Sequence, residues 1–398
     1  MAVEVEAAER QLNTETEAGE ITDTQSDGPS QSWPAINYAL PPYRSYHFFN
    51  QFRTPSNPNK FLKGVKWSPD GSCFLTCSDD NTLSIFSLPY DESGYLIADC
   101  SAAEESGPDT CVFATSTRDH PIHLWDAFSG QLRCTYRAYN AVDEITAAFS
   151  IAFNPSGTKI FAGYNKSLRV FDIHRPGREY GHHSTLDGKK EGQSGIISSI
   201  AFSPSHNGLL ATGSYSQSTA LYREDNMELL YVLHGQEGGV TQVQFSKDGN
   251  YLYTGGRKDP YILCWDLRNT VEIVYKLYRS SETTNQRIYF DVEPHGHHLG
   301  TGGQDGSVHI YDLQTGNWVS SFHAASDTIN GFSYHPFLPM AATSSGNRRF
   351  LDFDDSSEDL VLTENENCVS VWSFYSSTES TASSNADLDI EDDHPGGV

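Results

Sequence analysis

Short runs of alternating apolar and polar residues recur along the chain, and four of them close on an aromatic residue followed by aspartate: Trp125-Asp126, Phe171-Asp172, Trp265-Asp266 and Tyr311-Asp312. Alternation of this kind marks strands with one buried face. The intervals of 46, 94 and 46 residues are one, two and one units of about 47, close to the length of a four-stranded propeller blade. The missing beat falls near residue 220.

A second landmark fills the gaps. Apolar-x-apolar strands end in turns built from Pro, Asp, Asn and Gly: WSPDGS (67–72), FNPSGT (153–158), FSPSHNG (202–208), FSKDGN (245–250), VEPHGH (292–297) and YHPFLP (334–339). Pro fixes φ, and Gly or Asn accepts positive φ, so each reads as a hairpin turn. Alignment of the units places Phe86, Trp125, Phe171, Tyr222, Trp265, Tyr311 and Trp372 in one equivalent strand position. The expectation is an all-β, seven-bladed WD-repeat propeller over residues 61–375.

The third landmark is a turn aspartate a few residues before the pulse: Asp80, Asp119, Asp259 and Asp305. A short carboxylate caps its own turn by accepting neighbouring backbone N–H groups, so these four are expected to be structural. Asn165 and Ser216 stand there in two other units, and the Gly-His usual in such repeats is Gly235-Gln236. The repeats have diverged, which leaves room for specialised surfaces.

Charge changes the picture at the ends. Of 52 acidic and 26 basic residues, residues 1–32 hold eight acids and one base, and residues 351–398 hold thirteen acids and neither Lys nor Arg. The body, 33–350, keeps 31 acids against 25 bases, so the net charge of −26 belongs mainly to the termini and does not exclude a polyanionic partner for the body. Residues 1–32 and 376–398 are expected to be disordered acidic tails, rich in Ser, Thr and acids. An acidic insert, 350–367, is expected as a loop within the last blade. Residues 33–60 are too short for a blade, and Tyr46, His47, Phe48 and Phe49 are the expected closing strand of the last one; the alternative is an apolar segment packed across the rim.

Other chemistry is thin. No run approaches eighteen apolar residues and the N-terminus has no h-region, so a soluble, intracellular protein is expected. Seven scattered cysteines (73, 77, 100, 111, 134, 264, 368) read as buried thiols rather than a metal site, and no cofactor is expected. His295, His297 and His298 sit on a hairpin turn, His182 and His183 on an outer strand, and no HExxH, GxSxG or phosphate-cradling loop accompanies them. Gly255-Gly256 and Gly302-Gly303 read as strand-end glycines in close packing. No catalysis is expected.

Blade register gathers a better surface. On the top face the turns between second and third strands supply Asp79, Arg118, Lys166, Tyr215, Arg257, Lys258 and Gln304, and the loops entering first strands add Lys189, Lys190, Arg279 and Arg287. Cations with an aromatic suit RNA, whose phosphates pair with Lys and Arg and whose unstacked bases lie on rings. Ordinary solvated loop charge is the competing explanation.

Blocks that propeller geometry does not demand carry a further signal: KFLKGVKWSPDGSC (60–73), DEITAAFSIAFNPSG (143–157), VFDIHRPGRE (170–179), GQSGIISSIAFSP (192–204), GGRKDPYILCWDLR (255–268), TTNQRIYFDVEP (283–294) and HPFLPMAAT (335–343). Together these closely resemble the telomerase Cajal-body protein family of WD-repeat proteins across roughly residues 60–345. The resemblance implies an RNA-binding scaffold that recognises the CAB-box loop of H/ACA-type small Cajal-body RNAs, with telomerase RNA as a further ligand. It also implies dyskerin-containing particles as partners, coilin and SMN as further ones, and residence in the nucleus and Cajal body beside a cytoplasmic pool. Arg257, Lys258 and Arg287 rank first as contacts, since they lie in family-like blocks on the top face. No basic cluster offers an import signal, so entry through a partner is expected. The rival reading is a substrate receptor of a cullin-RING ubiquitin ligase, because Trp265-Asp266-Leu267-Arg268 fits a WDxR element with Arg268 on the bottom face.

Overall fold

Each third strand places its aromatic opposite an apolar residue of the second strand: Phe86 faces Phe74, Phe171 faces Ile160, Trp265 faces Leu252 and Trp372 faces Ala341. That repeated pairing is what packs one sheet on the next. The computed structural model of the chain describes residues 33–52, 60–88, 112–127, 129–186, 192–205, 208–269, 272–349 and 363–376. The tail expected at 1–32, all but Ser376 of that at 376–398, and most of the 350–367 insert therefore lie outside the described residues.

The strands form seven antiparallel sheets in chain order around one axis, as the repeat spacing requires. Blade three consists of Ser150–Phe153, Lys159–Tyr164, Ser167–Asp172 and Gly181–Ser184; blade four of Ile197–Phe202, Leu209–Ser214, Ser218–Arg223 and Leu229–His234. Blade five consists of Val240–Phe245, Tyr251–Gly256, Tyr261–Asp266 and Ile273–Tyr278; blade six of Phe290–Val292, His298–Gly302, Ser307–Asp312 and Trp318–His323. Blades one and two show three described strands each, starting at Leu62 and Val112.

Blade seven joins distant parts of the chain. Its inner strands are Ile329–Tyr334, Met340–Ser345 and Val369–Ser373, and its outer strand is Tyr43–Phe48. Tyr46 lies opposite Val371, His47 opposite Ser370 and Phe48 opposite Val369, while Phe49 stands just past the strand against the Trp372 and Phe374 cluster. This strand pairs the backbone N–H and C=O groups that Val369–Ser373 would otherwise leave open at its outer edge, and so ties the ring shut. The preceding segment is anchored too: the Tyr38 hydroxyl donates to the buried Glu293 carboxylate at 2.7 Å, and His298 Nδ1 meets its other oxygen at 2.9 Å.

Between blades the core is aliphatic and aromatic. Leu221, Val240, Val243, Phe245, Leu252, Leu263 and Trp265 form one cluster across blades four and five. Burial of such side chains contributes about 1.5–3 kcal/mol each, and neighbouring-blade contacts of this kind hold the ring together.

Candidate nucleic-acid interface

The top face is the end at which second strands turn into third strands and first strands begin. Its turn in blade five is fixed by Asp259, which is only 1% exposed. One carboxylate oxygen accepts Gln236 Nε2 at 2.8 Å and the N–H groups of Glu237 at 2.7 Å and Gly238 at 3.1 Å; the other accepts Tyr261 N–H at 3.1 Å. Gln236 in turn accepts from Thr254 Oγ1, and Thr254 accepts from Trp265 Nε1. Glutamine thus fills the place histidine usually holds, linking the turn to the aromatic of the third strand.

That buried scaffold presents Arg257 and Lys258. Lys258 occupies the left-handed region at φ 52° and is exposed, its N–H donating to Thr284 O. The Arg257 guanidinium lies 4.1 Å from the centre of the Tyr215 ring, contributed by blade four. Arg287, entering blade six, donates to the same tyrosine's hydroxyl through Nη2 at 2.7 Å and Nε at 3.2 Å, its guanidinium 5.7 Å from the ring centre. Two guanidiniums from different blades therefore converge on one tyrosine. Among the described residues neither has a carboxylate partner.

Nearby cations are neutralised. Asp79 accepts Lys63 at 2.9 Å and Arg348 at 3.2 Å, and Arg348 N–H donates to Gln286 Oε1. Burial pushes the Cys77 thiol up, opposed by the charges of Lys63 and Arg287. Repeat spacing does not point to Lys63, Gln286 or Arg348; Lys63 stands at a break in strand register that sequence does not mark.

The remaining residues scatter. Arg118 is 96% exposed on blade two and pairs with Asp119 at 3.7 Å. Lys166 is exposed at φ 57° on blade three, and Gln304 exchanges hydrogen bonds with Thr283. Lys189 and Lys190 lie outside the described residues. Arg279 departs from its expected place on the surface: it is fully buried, donating to Ile288 O at 2.8 Å and to Gly256 O. Room for it depends on Gly255, where a Cβ would sit 3.3 Å from both Nη atoms. Burial pulls its guanidinium down to about 10 against the opposing charge of Asp259. Arg279 belongs to the scaffold.

The turn aspartates differ in the same way. Asp80 accepts from Ser78, from Thr82 N–H at 3.1 Å and from Thr82 Oγ1, and Asp305 accepts Ser307 N–H at 3.2 Å. Asp119 is 87% exposed beside Arg118. At the opposite end of blade five, Arg268 is held by Asp266 through Nε at 2.9 Å and Nη2 at 2.7 Å and touches the Tyr251 hydroxyl at 3.1 Å. Its guanidinium is engaged within its own hairpin, and the ligase-receptor reading is not favoured.

Comparison with known proteins agrees with this architecture. The WD domain, G-beta repeat, matches residues 50–87 and 227–266. Telomerase Cajal body protein 1 of Mesocricetus auratus is 42% identical over 379 residues, covering 87% of this chain and 70% of that protein; its Homo sapiens counterpart is 43% identical over 379 residues, covering 87% and 68%. The Drosophila melanogaster homologue is 33% identical over 337 residues, 77% of this chain and 60% of that one. With identity of this level spread over most of both chains, on a seven-bladed ring whose repeats match the WD domain, the chain belongs to the telomerase Cajal body protein 1 family.

Proposed function

We propose that the chain is a non-enzymatic scaffold that binds RNA with its top face. Its ligand is the CAB-box loop of H/ACA-type small Cajal-body RNAs, with telomerase RNA a further ligand of the same class. The observation that carries this reading is the pair Arg257 and Arg287, converging on Tyr215 without a carboxylate. Like charges held together without a counter-ion cost free energy unless an anion joins them, and guanidiniums present paired donors in the geometry of phosphate. The relatives' names tie them to telomerase and the Cajal body, and on that kinship the chain acts in the nucleus with dyskerin-containing particles, coilin and SMN, directing the ribonucleoprotein to Cajal bodies.

Crosslinking in cells followed by RNA sequencing tests the ligand. Enrichment of small Cajal-body RNAs is expected, and recovery at background level overturns the assignment. In vitro, Arg257→Ala and Arg287→Ala each weaken binding of an H/ACA hairpin bearing the loop motif, and each lowers the slope of log affinity against log salt by about 0.7 if one single-strand phosphate contact is lost.

A further inference from the structure

We infer that Phe149 is a base-stacking residue of the top face, an inference that rests on the RNA reading above and extends its footprint to blade three. The argument begins with strand register. Where first and second strands meet at the top, pairing slips by one residue in four blades: between Leu62 and Gly64, Ile197 and Ser199, Val240 and Gln242, and Ile329 and Gly331. The bulged residues are therefore Lys63, Ser198, Thr241 and Asn330. Such bulges re-aim a side chain out of the ladder.

Three of the four are structural. Ser198, Thr241 and Asn330 are at most 2% exposed, and each donates to backbone: Ser198 to Gly213 O, Thr241 to Gly255 O, and Asn330 to Leu62 O and Gly346 O. In blade three the residue at this place is Phe149. It stands immediately before the Ser150–Gly163 pair, and its own N–H donates to Gly163 O at 2.9 Å. A phenyl ring cannot replace those hydrogen bonds, and it does not fill the core instead, since Phe149 is 46% exposed. Its backbone is fixed all the same: Ala148 beside it is buried, and Ser150 Oγ donates to Ile197 O of the next blade at 2.9 Å. A half-exposed aromatic ring thus stands at a position where three sister blades bury polar groups.

Its neighbours give the ring a ligand. From Gly163 the turn runs to Lys166, whose N–H donates to Gly195 O; Tyr215 N–H donates to Ile196 O, and Arg257 N–H to Gly239 O. Phe149, Lys166, Tyr215 and Arg257 consequently follow one another around the mouth of the ring on hydrogen-bonded turns. Lys166 has no carboxylate partner among the described residues. Tyr215 is poorly placed to stack a base, because Arg257 lies over its ring and Arg287 holds its hydroxyl. A single strand whose phosphates follow these cations meets its free aromatic platform at Phe149, where a base lies on the ring without sequence-specific hydrogen bonding.

Fluorescence anisotropy of the full chain with the H/ACA hairpin RNA, titrated in several salt concentrations, tests the inference with Phe149→Ala, Phe149→Leu and Phe149→Trp. Phe149 is 46% exposed, so all three variants are expected to fold, with at most a modest fall in the unfolding midpoint. Loss of one stacked base weakens the alanine and leucine variants by about 5- to 150-fold, while tryptophan retains binding. The salt slope stays at the wild-type value, because no phosphate contact is removed. Wild-type affinity in Phe149→Ala, or full retention by leucine, overturns the stacking role. If Arg287→Ala weakens binding and Phe149→Ala does not, the RNA reading stands and this inference falls; if wild-type protein binds no RNA, both fall.

Discussion

Replacing Asp259 with alanine should destabilise the propeller far more than replacing any other of its four turn aspartates. The carboxylate is 1% exposed and accepts four hydrogen bonds between 2.7 and 3.1 Å, three of them from backbone N–H groups. A hydrogen bond to a charged group nets about 1.5–3 kcal/mol, but four on one acceptor share its desolvation and do not add. Alanine also leaves the buried Arg279 guanidinium without the one charge that favours it. The substitution also leaves Gln236 Nε2 and the N–H groups of Glu237, Gly238 and Tyr261 without this acceptor, and an unsatisfied buried donor costs about 1–3 kcal/mol, so a loss of about 3 kcal/mol is expected. Asp305→Ala, which gives up one backbone bond at a half-exposed site, should cost about 0.5–1.5 kcal/mol, and Asp119→Ala nearly nothing. Urea unfolding followed by tryptophan fluorescence measures all three. Equal losses for Asp259→Ala and Asp305→Ala would refute the claim that burial, rather than membership of the repeat, sets the weight of this residue.

Two further outcomes follow from local geometry. Lys258→Gly removes the side chain from a left-handed position glycine adopts freely, so stability should stay within about 0.5 kcal/mol while RNA binding weakens and the salt slope falls by about 0.7; a stability loss above about 1 kcal/mol would show that Lys258 serves the fold. His335 is held at about 4 by burial, below its ordinary value near 6.5, even though Gly71 O favours its charged form. The unfolded chain therefore binds a proton that the folded one refuses between these values, so stability is complete above pH 6.5 and is lost as pH falls toward 4, by up to about 3 kcal/mol. In His335→Asn that portion of the pH dependence should disappear; an unchanged profile would remove His335 as its source.

What sequence could reveal and what it could not divide along one physical line. The seven third strands were legible because each repeats a local pattern, an aromatic at a fixed step from a Pro or Gly turn, and local chemistry sets such patterns wherever they occur. Gln236 was legible in the same way, as the residue in the histidine's place. Depth and register are not local. Arg279 and Arg287 both stand in loops entering blade six and look alike in sequence, yet one is fully buried beside Gly255 and bonded to backbone carbonyls while the other reaches Tyr215 across a blade boundary. Asp119 and Asp259 share a motif position, and only the neighbouring loop, with or without Gln236 to cover it, decides which becomes a buried anchor. Phe149 is hidden for the same reason: in DEITAAFSIAF it continues an apolar run, and only the pairing of Ser150 with Gly163 shows that it stands at the position where four sister blades bulge. A repeat fixes where side chains stand in a blade, while the contacts between blades determine which of them meet a ligand. Phe149 and Lys63 break the repeat at the bulge position, and the Phe149 variants described above test whether such a break marks a contact with RNA.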